Sequence, residues 1–115
     1  MSITVKALPE VRLYLSDLIR ILFEDEYFSF EDNAIAYVTD LVSEIETDLP
    51  FKTRKPAPNY FVRYGENMFY SSFRKNRETT WYVFYTIHHN KEQNSTTFLI
   101  RYISNNHVIG QHLSL

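Results

Sequence analysis

Arg74 and Arg101, with Tyr70 and Tyr82, are side chains whose types and spacing could meet a nucleic acid. A guanidinium presents a planar fork that matches two phosphate oxygens. An imidazole has the ordinary pKa closest to neutrality, so it can act as acid or base. The neighbours of these residues repeat at alternating positions. Tyr70, Ser72 and Arg74 form one set, Tyr82, Phe84 and His88 a second, and Arg101 lies in a third run. If each run is a strand, residues two apart share a face. The three sets then make a sheet surface of rings and cations. Such a surface suits single-stranded nucleic acid, where aromatic rings stack on bases and arginines meet phosphates. Lys75 and Arg77, in the polar stretch after the first run, add two more cations that could contact substrate.

The elements that must position these residues can be read along the chain. Residues 2–7 alternate and are β-branched, which predicts a short first strand. Pro9 stands where a helix can start, since its missing N–H is not needed there. Val11, Leu15, Leu18, Ile19 and Leu22 recur at helical spacing and predict a helix over 9–24. Its acidic end, Glu24-Asp25-Glu26, opposes the helix dipole, so either the helix stops near Phe23 or a basic group lies close. Ser29-Phe30-Glu31-Asp32 has the spacing of a capping box. Ile35, Val38, Leu41, Val42, Ile45 and Leu49 predict a second helix over 30–48, antiparallel to the first.

Pro50, Pro56 and Pro58 bracket a basic link, Lys52-Thr53-Arg54-Lys55, predicted to be extended, exposed and mobile. Three strand-like runs follow, 68–74, 80–88 and 96–104, separated by polar turns, and a tail strand is predicted over 109–113. The expected fold is α+β, in the order β-α-α-β-β-β. The first strand belongs to the sheet, and the helical hairpin covers one sheet face. Trp81, Val83, Tyr85 and Ile87, with Phe69 and Phe73, are placed under the helices, as are Phe98, Ile100 and Tyr102. Leu99, Arg101 and Ile103 are then left outside.

At 115 residues a single domain is expected. The chain has no cysteine, which rules out disulfides and Cys-based zinc sites. No apolar run approaches the length of a membrane span, and Met1 to Ala7 do not read as a signal peptide, so a cytoplasmic protein is expected. Adjacent His88 and His89 point to opposite faces of a strand and do not form a metal pair. Asp40, Glu44 and Asp48 read as a solvated helix face. The net charge of −2 hides a sorting. Residues 1–50 hold three cations and eleven acids, and residues 51–115 hold nine cations and three acids. A basic, aromatic half that can meet a polyanion or acidic partner is therefore joined to an acidic half that stays solvated.

The order strand, helical hairpin, meander, together with Phe73-Arg74, the run Thr80-Trp81-Tyr82-Val83-Phe84-Tyr85 and Phe98–Ile103 followed by Ser104-Asn105-Asn106-His107, resembles the RelE/ParE family of toxins from bacterial type II toxin–antitoxin systems. The resemblance implies a RelE/ParE-like fold over residues 1–115. It also implies a cognate antitoxin protein as partner, covering the basic face. The implied activity is inhibition of translation by ribosome-dependent mRNA cleavage, which needs no cofactor and no metal. In that chemistry the 2′-OH attacks the adjacent phosphate, which calls for a base, an acid and cations. Arg74 would hold the phosphate with help from Arg101, His107 would act as acid or base, and Tyr82 or Tyr70 would stack on a base. Tyr70 and Ser72 fall where the RelE branch often carries lysines, and Tyr82 where it carries an arginine. That leaves room for a ParE-like inhibitor of DNA gyrase, or for a non-catalytic binding module on the same fold.

Overall fold

The computed structural model describes residues 1–25 and 30–113. Strand β1 is Ser2–Ala7, helix α1 Pro9–Glu24 and helix α2 Glu31–Asp48. A short 3-10 turn, Leu49–Phe51, leads to the two-residue strand β2, Lys55–Pro56, and a second 3-10 segment follows at Asn59–Tyr64. Strands β3 (Phe69–Arg74), β4 (Thr80–Asn90) and β5 (Ser95–Asn105) form the meander. A helical turn, α3 (Asn106–Ile109), and a 3-10 turn, Gly110–His112, end the described chain. The sheet is open and mixed, in the order β1-β5-β4-β3-β2, with β1 parallel to β5 and the other neighbours antiparallel.

Both long helices lie where the spacing predicts them. Pro9 opens α1, which runs through Glu24 because Arg20, one turn earlier, reaches that carboxylate at 2.7 Å. The basic group expected near the acidic end is thus Arg20. Helix α2 begins at Glu31 with Phe30 as its N-cap and no side-chain cap bond. Ser29, the residue expected to cap it, lies outside the described residues, as does Glu26. Val11, Leu18, Val38, Leu41 and Ile45 from the helices bury against Phe73, Trp81, Val83, Tyr85 and Ile100 from the sheet. Trp81 also donates its indole N–H to the Tyr37 hydroxyl at 2.8 Å, tying β4 to α2.

Three expectations fail, each for a local reason. First, β5 does not alternate along its whole length. Tyr85 pairs with Ile100 and Phe84 with Tyr102, so Arg101 is an extra residue at a β-bulge. The bulge shifts parity by one. Ile103, expected outside, is buried under the helices, and Tyr102, expected there, packs on the opposite face. Second, residues 109–113 form no strand. They continue from α3 as a 3-10 turn and press Ile109 and Leu113 onto the outward face. Third, that face is not open. Phe61, from the segment between β2 and β3, joins Ile109 and Leu113 in covering Tyr70, Tyr82 and Phe84, which are 6%, 6% and 0% exposed. The basic link is also held. Lys52 sits over the Phe73 ring, Arg54 over Phe69, and Lys55 and Pro56 pair with Tyr70 and Phe69.

Candidate functional site

The outward face keeps one opening. Beside the β3–β4 turn, where β2 is too short to pair with β3 beyond Tyr70, a groove of about 300 Å³ is lined by Thr53, Lys55, Tyr70, Ser72, Arg74, Thr80 and Tyr82, among others. Strand register explains the grouping. Lys55 stands beside Tyr70, Ser72 beside Tyr82, and Arg74 beside Thr80. Two-residue alternation points Tyr70, Ser72, Arg74, Thr80 and Tyr82 to the same side.

Two cations face this groove. Arg74 donates its Nε to the Asn76 carbonyl at 3.1 Å, and its remaining guanidinium donors have no partner among the described residues. Lys55 is exposed and likewise has no partner among them. The tyrosines contribute hydroxyls rather than ring faces. The Tyr70 ring lies edge-on to Tyr82 at 6.0 Å and stacks against Phe84 at 5.4 Å, so both tyrosine rings are committed to packing. Neither hydroxyl has a protein partner, yet no buried side-chain polar atom among the described residues lacks one. Both oxygens therefore open on solvent at the groove. Burial, and then the neighbouring Tyr70, push the Tyr82 phenol above its usual pKa, so it stays protonated and acts as a donor. The arrangement offers two cations and several hydroxyls to a phosphate, with no carboxylate or imidazole among its lining side chains.

The other expected site residues lie elsewhere. His107, at the start of α3, sits on the helix-covered side, in a cleft of about 460 Å³ with Tyr37, Trp81, Leu18 and Asp25. Its Nε2 lies 3.1 Å from the Thr79 hydroxyl. Lys75 turns the same way. Its ammonium is 2.6 Å from Asp40 of α2 and lies over the Tyr37 ring. Arg77 stands exposed in the β3–β4 turn. Arg101, at the bulge, donates Nε to Thr86 at 3.0 Å and lies against Gly65, where a Cβ would come within 2.7 Å of the arginine Cδ. Thr86 is four residues along β4 from Tyr82, about 13 Å at strand rise. The Phe61–Phe84 contact fills the space between them.

Sequence reasoning passed over Lys55 and Thr53 as members of the groove. The signal is the run Lys52-Thr53-Arg54-Lys55 between prolines, whose composition predicts an extended, exposed link. It also passed over His112, which stacks on Tyr60 with centroids 3.6 Å apart and planes within 6°, while Arg63 covers the same tyrosine. His112 directly precedes Leu113, which is buried with Tyr70 and Tyr82, so it shares their face of the sheet. Nothing in the local sequence links residues 60 and 112. His88 and His89 bond to Thr86 and Thr96 at the far end of β4.

Comparisons with family models, curated proteins and solved structures found no match to this chain. Among the described residues no helix is long and apolar enough to cross a membrane.

Proposed function

We propose that this chain is a toxin of the RelE/ParE type and that it acts on RNA through the groove between Arg74, Lys55 and Tyr82. The observation that carries the reading is the convergence, on one sheet face, of the Tyr70 and Tyr82 hydroxyls with two cations that have no ion-pair partner among the described residues. In this reading Arg74 and Lys55 hold the phosphate, the guanidinium by its fork and the ammonium as a point charge. Tyr82, kept protonated, donates a hydrogen bond to a phosphate oxygen or to the departing 5′-oxygen. His107 lies on the other side of the sheet, and no imidazole lines the groove, so in this reading Tyr82 is the one proton donor. The partner protein is an antitoxin that covers the groove, and the target is mRNA on the ribosome.

A second reading, a binding module without catalysis, is favoured by the lack of any acid or imidazole in the groove lining. DNA gyrase is the target in a variant of the toxin reading.

The test is fluorescence anisotropy of a labelled single-stranded RNA, run beside a product gel. Removing one phosphate-contacting cation costs about 1.5–3 kcal/mol, about a tenfold loss or more. Arg74→Ala and Lys55→Ala are each expected to weaken binding on that scale and to flatten its salt dependence. Binding that both variants retain in full contradicts the site. Binding without cleavage, with or without ribosomes, supports the second reading.

A further inference from the structure

Strand β5 has eleven residues, but β1 accompanies only the first six, 95–100. The last bond between them runs from the Leu8 N–H to the Ile100 carbonyl at 3.0 Å. Pro9 has no N–H to continue the ladder, and the chain turns there into α1. Residues 101–104 therefore have β4 on one side and no strand on the other. Among the described residues no backbone bond from a turn or loop reaches them. Their N–H and C=O groups on that side are unpaired over about 13 Å of strand. A cleft of about 360 Å³ runs along this edge. Val11, Tyr14 and Ile103, from the helix-side core, line it together with Tyr64 and Tyr102, from the opposite core. Residues of both faces can share one cleft only at the margin of a sheet. The charges beside it are sorted. Glu10 stands on the helix side. On the Tyr64 side are Arg63, whose guanidinium lies 5.9 Å from the Tyr64 ring centroid, and Lys6, which strand alternation turns away from the core residues Val5 and Ala7. None of these three charges has an ion-pair partner among the described residues.

We propose that this edge takes up an extended segment of a partner protein, in which aliphatic and acidic residues alternate, as an added strand on residues 101–104. A row of unpaired N–H and C=O groups is matched by another extended backbone. The side chains of that backbone fall alternately on the two sides. The aliphatic ones meet Val11, Ile103 and Val108. The acidic ones meet Arg63 and Lys6, and Glu10 keeps them off the helix side. The edge is sunk between α1, α3 and Tyr64, so the same edge of a second copy, walled by the same residues, cannot reach it. The surface lies at the opposite margin of the sheet from the Arg74 groove, so strand uptake is independent of RNA binding there.

The experiment is an NMR titration of the intact chain with the end-capped peptide Thr-Val-Glu-Val-Glu-Val-Thr. Saturable amide shifts centred on residues 101–104 are expected. The same peptide with lysines in place of its glutamates should bind about tenfold more weakly. A version N-methylated at every valine and glutamate cannot donate to the edge and should not bind. Val108→Asp, at a residue 61% exposed in the free chain, should leave the fold intact and weaken the glutamate peptide about tenfold. Arg63→Gln should weaken it about threefold. The proposal is overturned by the absence of saturable shifts, by shifts centred away from residues 101–104, or by equal affinity of the lysine or N-methylated peptide. Affinity unchanged in Val108→Asp or in Arg63→Gln also overturns it. Self-association of the free chain through the same amides would assign the edge to a second copy and likewise overturn it.

Discussion

The two faces of the sheet bury similar rows of aromatic residues but are covered by different kinds of structure. On one face α1 and α2, each four turns or more long, lay a continuous apolar stripe over Phe73, Trp81 and Tyr85. On the other, a six-residue 3-10 segment and the tail after β5 set Phe61, Ile109 and Leu113 onto Tyr70, Tyr82 and Phe84. The helical cover is complete enough to bury whole side chains of the sheet. The irregular cover stops short of the corner where β2, β3 and β4 meet, and there the Arg74 groove opens. An open sheet can therefore present a cationic site without leaving its aromatic face bare.

The sharpest way to break this comparison is to remove one ring from each cover. Phe73 and Phe61 are both 0% exposed. If the irregular cover is a true second core, Phe61→Ala and Phe73→Ala should each cost about 3–5 kcal/mol in urea unfolding. A cost below about 1 kcal/mol for Phe61→Ala alone would make that cover a loose lid.

A smaller effect comes from the seam between the two faces, where Tyr14 of α1 lies near Tyr102. Burial, and then Tyr102, push the Tyr14 phenol up to about 12 from its usual 10.0. The folded state thus favours the neutral phenol. The sign follows: its contribution is fully present below pH 10 and is lost as pH rises from 10 toward 12. Tyr14→Phe is expected to flatten the fall in stability over that window, measured by melting temperature against pH. An unchanged slope would contradict the burial of this hydroxyl.

The smallest effect separates the cations that serve the fold from those that serve the groove. Lys75 is bonded to Asp40, a carboxylate whose side chain is 73% exposed. The Lys75 side chain itself is only 12% exposed and lies over Tyr37, so Lys75→Ala should cost about 1–2 kcal/mol, mostly through lost packing, and leave RNA affinity unchanged. Arg74→Ala should show the reverse, with near-wild-type stability and weakened RNA binding. Equal losses of affinity in the two variants would mean that the β3–β4 turn acts as one basic patch.

The same contrast explains what could be read in the sequence. Helices α1 and α2 were legible because apolar residues recur with a helical period over four turns or more. The strands were legible because β-branched and aromatic residues alternate between polar turns. Parity along β4 placed Trp81, Val83 and Tyr85 correctly. It failed in β5 after Arg101, because a bulge leaves no mark in the composition of a strand. The second cover was illegible for a related reason. Asn59–Tyr64 and Asn106–His112 are too short to show a period, and Phe61 gains its meaning only from contacts made far along the chain, with Phe84. Of the candidate site, Arg74, Tyr70 and Tyr82 were grouped correctly by strand alternation. His107 was placed by its position after β5, but the chain turns into α3 there and carries its ring to the helix side.

The central claim, that the Arg74–Lys55 groove is where this protein acts on RNA, is tested most directly by inducing the chain alone in a bacterium. Labelled methionine and thymidine incorporation would be followed for the wild type, for Arg74→Ala combined with Lys55→Ala, and for His107→Ala. The account expects methionine incorporation to fall first in the wild type and in His107→Ala, and to be spared in the double variant. Thymidine falling first, or full inhibition by the double variant, would contradict it.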